Sequence, residues 1–403
     1  MLGFFELGIL ATILITHVTM ESQTLVDLGP LLQVMLLGLI LAMGPLTWVW
    51  LRNRHAPTAR RLNALTWFTL FLTFDLVMFG AFTRLTDSGL GCPDWPGCYG
   101  NASPVGARVE ISNAQQAMPT GPVTHSKAWI EMIHRYLATG VGVLILVLAV
   151  FSWIESRRPQ SADVMPPRPG WALFTLLWVC VQGAFGALTV TMKLFPAIVT
   201  LHLLGGLVLL ALLTLQAVRC GPQAAMTQRP LSPGLRNGLW LALGLVVLQC
   251  ALGGWVSTNY AVLACTEFPF CQGSWWPVMN FAQGFELWRA LGLTGAGAPL
   301  EFAALTAIHY THRLVAYGVI LALAVLAWRL YKTVVWRTFA RWLVMLVVLQ
   351  FLTGLSNVVL GWPLLAAVMH TGGAAALIVV LTWILSSAHA GRLKVPVENV
   401  PEV

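Results

Sequence analysis

Apolar runs, each about the length needed to cross a bilayer, follow one another along most of the chain, separated by polar connections. They predict eight core membrane helices, near residues 64–84, 128–154, 170–192, 197–218, 236–258, 303–331, 337–360 and 364–389. Two further apolar stretches, at 3–20 and 30–51, precede this core and predict one or two additional helices. We therefore expect an all-α polytopic membrane protein.

The composition supports this prediction, because 58% of the 403 residues are hydrophobic and only 9% are charged. Such a chain is not a soluble globular domain, and we expect membrane lipid around it. The net charge of +8 does not indicate a nucleic-acid partner, because its basic residues are spread over alternate connections. These connections lie at 52–61, 157–168, 219–236, 329–341 and 392–394. The positive-inside rule places them, and the C-terminus, in the cytoplasm, as in a multi-pass protein of a bacterial-type inner membrane.

Two long connections, 85–127 and 259–302, then lie on the periplasmic side, and each contains one pair of cysteines. The pairs have the same spacing, in "CPDWPGC" and "CTEFPFC". On the oxidising side of the membrane they predict two short disulfide loops, Cys92–Cys98 and Cys265–Cys271. Whether these disulfides are redox-active or structural stays open at this stage.

An internal repeat relates the two parts of the chain. "FGAFTRLTDSGLGCPDWPGC" (79–98) aligns with "LGGWVSTNYAVLACTEFPFC" (252–271), and "EMIHR" (131–135) aligns with "HYTHR" (309–313). The repeat predicts a tandem, pseudo-symmetric pair of four-helix bundles. Their predicted bounds are 64–218 and 236–390, between an N-terminal extension (1–63) and a cytoplasmic tail (391–403). An even number of spans in each unit makes the repeats parallel.

Four of the nine histidines occupy equivalent positions, in the second and fourth helix of each unit. Two imidazoles at matched depth on facing helices form a bis-axial haem site. A single intramembrane histidine is most often an interhelical hydrogen bonder, but four related by symmetry favour haem. Zinc is less favoured, because no cysteine or acidic residue except Glu131 joins the pairs. The four residues are His134, His202, His312 and His370.

Glycine pairs closely follow two of these histidines, at Gly205–Gly206 and Gly372–Gly373. They would leave room for a flat macrocycle. Packing of small residues between helices explains the same glycines, so the glycines alone do not indicate a haem site.

Glu131 breaks the symmetry of the repeat. It lies three residues before His134 on the same helix face, whereas the second unit has His309 there. A carboxyl group beside an iron ligand suits proton transfer, so we expect the chemistry in the first unit and electron transfer in the second. The neighbouring Arg135 and Arg313 are candidate contacts for haem propionates.

Five motifs together resemble the haem A synthase family over roughly residues 64–390: "GAFTRLTDSGLGCPDWPGCYG", "EMIHRYLA", "HLLGG", "THRLVA" and "MHTGG". The resemblance implies oxidation of the C8 methyl group of haem O to a formyl group, which gives haem A for cytochrome c oxidase. It implies that haem O binds between His134 and His202, with Glu131 as the acid–base residue. It implies haem b as cofactor between His312 and His370. Haem O synthase and cytochrome c oxidase assembly factors would be partners, with an electron acceptor that the sequence does not identify.

Two alternatives stay open at this stage. A dihaem b-type membrane cytochrome that carries electrons to or from quinone would use the same four histidines as ligands. A membrane thiol oxidoreductase would depend on the cysteine pairs instead. Residues 1–63 are an addition to the eight-helix core of the family, so their role is not implied by the resemblance.

Overall fold

The computed structural model of the protein describes residues 29–157, 168–220 and 229–390. Its helices, in chain order, are α1 Gly29–Arg52, α2 Thr58–Leu85, α3 Arg108–Ala117, α4 His125–Ser156, α5 Pro169–Thr191, α6 Pro196–Arg219, α7 Pro233–Thr258, α8 Phe281–Gly284, α9 Phe302–Tyr331, α10 Arg337–Val359 and α11 Leu364–Ser387. Two 3₁₀ helices, Ala261–Ala264 and Val334–Trp336, and two short strands, β1 Arg229–Leu231 and β2 Ala388–Ala390, complete the structure. The apolar stretch 3–20 and the tail 391–403 lie outside the described residues.

Nine helices in the described part of the chain are long and apolar enough to cross a membrane. They are α1 and the eight helices of the predicted core, so the apolar stretch 30–51 also forms a helix. The prediction of an all-α, multi-pass membrane protein is confirmed.

Helix α2 begins earlier than its apolar run, at Thr58 rather than near residue 64. A polar turn prolongs the helix, because hydropathy marks only the part of a helix that is buried in lipid. Asn63 in this turn donates hydrogen bonds to the backbone carbonyls of Ala217, at 2.9 Å, and of Cys220. These bonds attach the start of α2 to the end of α6.

The core helices pack as two rings of four. In the first ring α2 contacts α4, α4 contacts α5, α5 contacts α6, and α6 contacts α2. In the second ring α7, α9, α10 and α11 contact one another in the same cyclic order. The two rings meet chiefly where α11 packs on α6 and α2. Helices α4 and α6 are therefore diagonally opposed, as are α9 and α11.

Helix α1 lies outside the first ring and packs along α4. A Cβ atom at Gly38 of α1 would collide with the side chain of Thr139 in α4, so glycine is what permits this close approach. The additional helix thus rests against the helix that carries His134.

The connections that contain the cysteine pairs lie at one end of the helices, which we call the disulfide end. Helices α3 and α8 belong to these connections. At the opposite end β1 pairs in parallel with β2, with Arg229 opposite Ala388. The buried side chain of Trp336 donates to the backbone carbonyl of Pro230 at 3.2 Å. Apolar periodicity predicted neither α3 nor the strand pair, because both are short.

Candidate haem sites

The four candidate ligands lie in α4, α6, α9 and α11, on the diagonally opposed helices of each ring. Each is six to ten residues from the start of its helix, or about 9–15 Å along the axis from the disulfide end. The imidazoles of His134 and His202 lie close enough to interact electrostatically, and so do those of His312 and His370. All four side chains are half-buried. The structure therefore brings the predicted residues together as two pairs.

Each imidazole lies against a glycine of a neighbouring helix. A Cβ atom built on that glycine would approach the Cε1 atom of the ring to 3.1 Å (Gly80 and His134), 3.5 Å (Gly186 and His202), 3.0 Å (Gly253 and His312) and 3.2 Å (Gly354 and His370). A side chain at the closest of these positions would displace the ring. The glycines occupy equivalent positions in the repeat, and this recurrence was the signal in the sequence that could have revealed them.

The glycines that follow the histidines have a different role from the one predicted. A Cβ atom at Gly205 would collide with the amide of Gln182, and one at Gly373 would collide with the amide of Gln350. Gln350 also donates from Nε2 to the backbone carbonyl of His370 at 2.8 Å. Gly205 and Gly373 therefore leave space for glutamine side chains between the helices. The prediction that they leave room for a macrocycle is wrong at these two positions.

The donor atoms available at the two sites suit haem iron. Among the described residues there is no group of three or more histidine, cysteine, aspartate or glutamate side chains that could hold a metal ion. Each site instead presents two imidazoles, and a haem supplies the remaining four nitrogen ligands itself. The Nδ1 atoms of His134 and His202 are buried and have no hydrogen-bond partner in the described part of the chain. The residues present therefore fit a haem with two histidine ligands.

Glu131 and Arg135 connect α4 to the first disulfide loop. Glu131 is only 4% exposed, and its Oε1 atom accepts from Nη2 of Arg135 at 2.6 Å. Its Oε2 atom accepts from the backbone N–H of Cys92 at 2.8 Å. Arg135 also donates from Nη1 to the backbone carbonyls of Asp94, at 3.0 Å, and Gly97, at 2.5 Å. The ion pair thus holds the loop against the helix one turn from His134.

Arg313 makes the equivalent contacts in the second half. It donates to the backbone carbonyls of Glu267, at 2.8 Å, Phe270, at 3.2 Å, and Cys265, at 2.7 Å. On its own helix it donates from Nε to the Nε2 atom of His309 at 3.3 Å. His309, which replaces Glu131 in the repeat, is also buried.

These contacts change the interpretation of the two arginines. Both were candidates for propionate contacts, but both guanidinium groups bind backbone carbonyls of a disulfide loop. Charged donors make stronger hydrogen bonds to carbonyls than neutral donors do, which suits the attachment of a loop that has little secondary structure. The contacts that the structure shows for Arg135 and Arg313 are therefore structural.

Both predicted disulfides are present. The Cα atoms are 4.9 Å apart in Cys92–Cys98 and 4.8 Å apart in Cys265–Cys271, and all four cysteines are fully buried. In each loop the acidic residue accepts from the backbone of the turn that follows: Asp94 from Gly100 at 2.7 Å, and Glu267 from Gly273 at 3.0 Å. Gly100 and Gly273 both have φ of +71°, a conformation that favours glycine. The two loops share one design.

Equivalent segments of the two halves meet near the disulfide end. Arg84 donates to the backbone carbonyl of Ser257 at 2.5 Å and lies 4.1 Å from the ring centroid of Tyr260. The Tyr260 hydroxyl donates to Asp87 at 2.6 Å, and Asp87 pairs with Arg84 at 3.3 Å. Burial raises the pKa of Tyr260, Arg84 opposes this increase, and Asp87 adds to it. In the repeat, Ser257 and Tyr260 are the counterparts of Arg84 and Asp87.

Comparison with known proteins identifies relatives along most of the chain. The model of the COX15-CtaA family, described as cytochrome oxidase assembly protein, matches residues 63–382. A "Heme A synthase" of Shewanella oneidensis is 39% identical over 323 residues, which cover 79% of this chain and 95% of that protein. Proteins of the same name are 27% identical in Halalkalibacterium halodurans, over 73% of this chain and 86% of that protein, and 27% identical in Caulobacter vibrioides, over 81% and 94%.

Proposed function

Because the chain belongs to the haem A synthase family, we propose that it oxidises the C8 methyl group of haem O to the formyl group of haem A. It is an oxidoreductase of haem A biosynthesis, and haem A serves cytochrome oxidase. The observation that best supports the specific reaction is the arrangement of four histidines as two pairs, each imidazole lying against a glycine. Two haem sites in one chain allow a substrate and a redox cofactor to be held together.

The two sites have different roles in this proposal. Haem O binds between His134 and His202 in the first half, and haem b binds between His312 and His370 in the second. Glu131 supports this division, because a carboxyl group shares the helix face of the iron ligand only in the first half. Oxidation of a methyl group to a formyl group introduces one oxygen atom, which water or dioxygen supplies, and removes protons as well as electrons, so a proton acceptor belongs beside the substrate.

The residues of the first half position this acid–base group. Glu131 is held by Arg135 through Oε1 and by the Cys92 N–H through Oε2, which fixes the carboxyl group relative to His134. His134 and His202 bind and orient the substrate from opposite corners of the ring of helices. His312 and His370 would hold haem b, which would supply reversible one-electron transfer when bound.

We also propose an orientation in the membrane. The disulfide end, with both haem sites, faces the periplasm, and the C-terminus lies in the cytoplasm of a bacterial-type inner membrane. The arginines of the connections at the opposite end, 52–61 and 329–341, support this orientation through the positive-inside rule. Haem O synthase, which would supply the substrate, and cytochrome c oxidase assembly factors are the expected partners, and the electron acceptor is unassigned.

The test is the pigment content of two purified variants. We expect His134→Ala to retain the absorption spectrum of haem b and to form no haem A. We expect His312→Ala to lose or strongly alter that spectrum. An intact haem b spectrum in His312→Ala would show that the cofactor assignment is wrong.

Extraction of the bound haems distinguishes the main alternative. Haem O or haem A should accompany haem b in the wild-type protein if the proposal is correct. Two tightly bound haems b at fixed occupancy, without haem O or haem A, would identify a dihaem cytochrome that carries electrons to or from quinone.

A further inference from the structure

The two histidines of the second half each have a side-chain partner within hydrogen-bond distance of Nδ1, the nitrogen that stays free when Nε2 binds iron. The hydroxyl of Thr353 lies 2.9 Å from Nδ1 of His370. The same hydroxyl donates its single proton to the backbone carbonyl of Leu349 at 2.7 Å. With that proton donated, the hydroxyl accepts from Nδ1–H of His370, and this tautomer leaves the Nε2 lone pair free for iron.

Gln249 has the corresponding place beside the other ligand of the second half. Nε2 of its amide lies 3.0 Å from Nδ1 of His312 and 3.4 Å from Nε2 of the same ring, and it donates to the backbone carbonyl of His312 at 3.0 Å. The amide thus contacts both the ring and the main chain of the ligand. The Oε1 atom of Gln249 is buried and has no hydrogen-bond partner in the described part of the chain, so a turn of the amide would bring an acceptor to the Nδ1–H of an iron-bound imidazole.

In the structure as described, the first half has no counterpart to either contact. Leu76 stands four residues before Gly80, where Gln249 stands four residues before Gly253. Phe185 immediately precedes Gly186, where Thr353 immediately precedes Gly354. Neither Leu nor Phe has a side-chain hydrogen-bonding group. Within the described residues, the Nδ1 atoms of His134 and His202 accordingly have no hydrogen-bond partner.

We propose that Gln249 and Thr353 are positioning residues that make the second half retain its haem, and that their replacement by Leu76 and Phe185 makes the first half an exchange site. The proposal rests on the assignment of haem b to the second half. A partner at Nδ1 fixes the tautomer and orientation of a metal-bound imidazole and raises its basicity. A resident cofactor needs this retention, whereas a substrate haem must leave after it has been oxidised.

The first experiment measures the rate at which haem b leaves the purified protein for an excess of apo-globin, followed by absorbance. We expect Thr353→Val and Gln249→Leu each to increase this rate by on the order of 10–100-fold, the usual effect of losing an outer partner of a metal ligand. Thr353→Ser keeps the hydroxyl and should release haem at the wild-type rate. Wild-type rates in both Thr353→Val and Gln249→Leu would overturn the proposal.

Thr311→Val is the matched control. Thr311 is adjacent to His312, but within the described part of the chain its hydroxyl bonds only to the backbone carbonyl of Ala307, at 2.7 Å. The same substitution at this position should leave haem release unchanged. A release rate as high as that of Thr353→Val would attribute the effect to helix packing and would overturn the proposal.

The reciprocal change introduces a hydroxyl into the first half at the position equivalent to Thr353. It tests the proposed exchange site without disturbing the haem b site. We expect Phe185→Thr to retain more haem O and haem A through purification, and to slow their transfer to apo-globin several-fold. Unchanged retention in this variant, together with unchanged release from Thr353→Val, would show that Nδ1 partners do not control haem exchange.

His312→Ala separates the two ways in which these results can fail. An intact haem b spectrum in His312→Ala would refute the assignment of haem b, and with it the proposed function. Loss of haem b in His312→Ala, combined with a wild-type rate in Thr353→Val, would leave that function standing and refute only the role of the positioning residues.

Discussion

Arg135 in the first half and Arg313 in the second half occupy equivalent positions and bind the backbone of equivalent disulfide loops. Their partners on their own helices differ, because Arg135 contacts the carboxylate of Glu131 and Arg313 contacts the imidazole of His309. The contacts between arginine and loop are common to both halves, whereas the residue one turn before the arginine, Glu131 or His309, differs in charge and chemistry. The comparison shows that one scaffold can be kept while the side-chain chemistry beside the candidate ligand is changed.

The surroundings of the candidate ligands differ in the same way. The glycines that face the imidazoles recur in both halves, but side-chain partners at Nδ1 occur in the described structure only beside His312 and His370. Shared positions therefore shape the two candidate sites, and a few unshared positions distinguish the proposed substrate site from the proposed cofactor site. The unshared pairs are Glu131 and His309, Leu76 and Gln249, and Phe185 and Thr353.

The largest expected difference between the halves is in haem A formation. Glu131→Gln keeps an oxygen that can accept from the Cys92 N–H but removes the ionisable group. We expect haem A formation to fall by on the order of 10²–10⁴-fold, the usual contribution of a general acid–base group, with haem b content unchanged. Quantification of extracted haems checks this result.

His309→Gln is the equivalent change in the second half and should leave haem A formation close to that of the wild type. Normal haem A output from Glu131→Gln would remove Glu131 from the proposed chemistry. Its contact with the disulfide loop would then be its whole role.

The two arginines should differ in their effect on stability. Arg135→Ala leaves the buried carboxylate of Glu131 without its counter-charge, and breaking such a pair costs about 3–5 kcal/mol. Arg313→Ala removes similar loop contacts but leaves only an imidazole, which can stay neutral. We therefore expect a lower thermal unfolding midpoint in Arg135→Ala than in Arg313→Ala, measured in detergent by tryptophan fluorescence.

A second substitution shows where this difference comes from. Adding Glu131→Gln to Arg135→Ala should recover part of the lost stability, because the buried charge is then absent. Equal midpoints for Arg135→Ala and Arg313→Ala would mean that the loop contacts, rather than the ion pair, dominate in both halves.

The sequence predicted the features that depend on hydropathy, spacing and recurrence. Apolar runs located the membrane helices, and equal spacing in the two long connections located Cys92–Cys98 and Cys265–Cys271. Recurrence identified His134 and its three counterparts as a set, and the structure places them in two pairs on diagonal helices. These features leave a signal in the order of residues along the chain.

Other features depend on loop geometry and could not be predicted in this way. The backbone of residues 92–98 turns its carbonyls towards Arg135, and no periodic pattern specifies that direction. Helix α3 is too short and too polar to stand out in a search for membrane spans. Gly80 and Gly253 were present in the aligned segments, but only the neighbouring imidazole explains them.

Removal of the disulfides should have a smaller effect on stability. The chain-entropy model assigns about 2 kcal/mol to a disulfide loop of this length, and the arginine contacts remain when the cysteines are replaced. The double substitution Cys92→Ser with Cys98→Ser should also reduce haem A formation. Residue 92 keeps its backbone N–H, but without the disulfide the loop holds this N–H, and so Glu131, less firmly in place. Thermal unfolding and extracted haems provide the two measurements.

The second loop provides the comparison for this effect. Cys265→Ser with Cys271→Ser should lose similar stability and keep haem A formation, because no carboxylate binds the backbone N–H of Cys265 in the described structure. Loss of haem A formation in this variant, with haem b retained, would favour thiol chemistry and would oppose a structural role for both disulfides.

The smallest effects are expected at the glycines beside the fourth helix of each half. An added Cβ at Gly186 would lie 3.5 Å from Cε1 of His202, an ordinary contact, whereas one at Gly354 would lie 3.2 Å from Cε1 of His370. Gly186→Ala should therefore keep the spectrum and gain up to about 1 kcal/mol from the helix propensity of alanine. Gly354→Ala must shift the imidazole by a few tenths of an ångström, at a cost of about 1 kcal/mol or more. Release of haem b that is several-fold faster in Gly354→Ala, but not in Gly186→Ala, would support tighter retention of haem by the second half. Equal rates of haem b release in the two variants would contradict it.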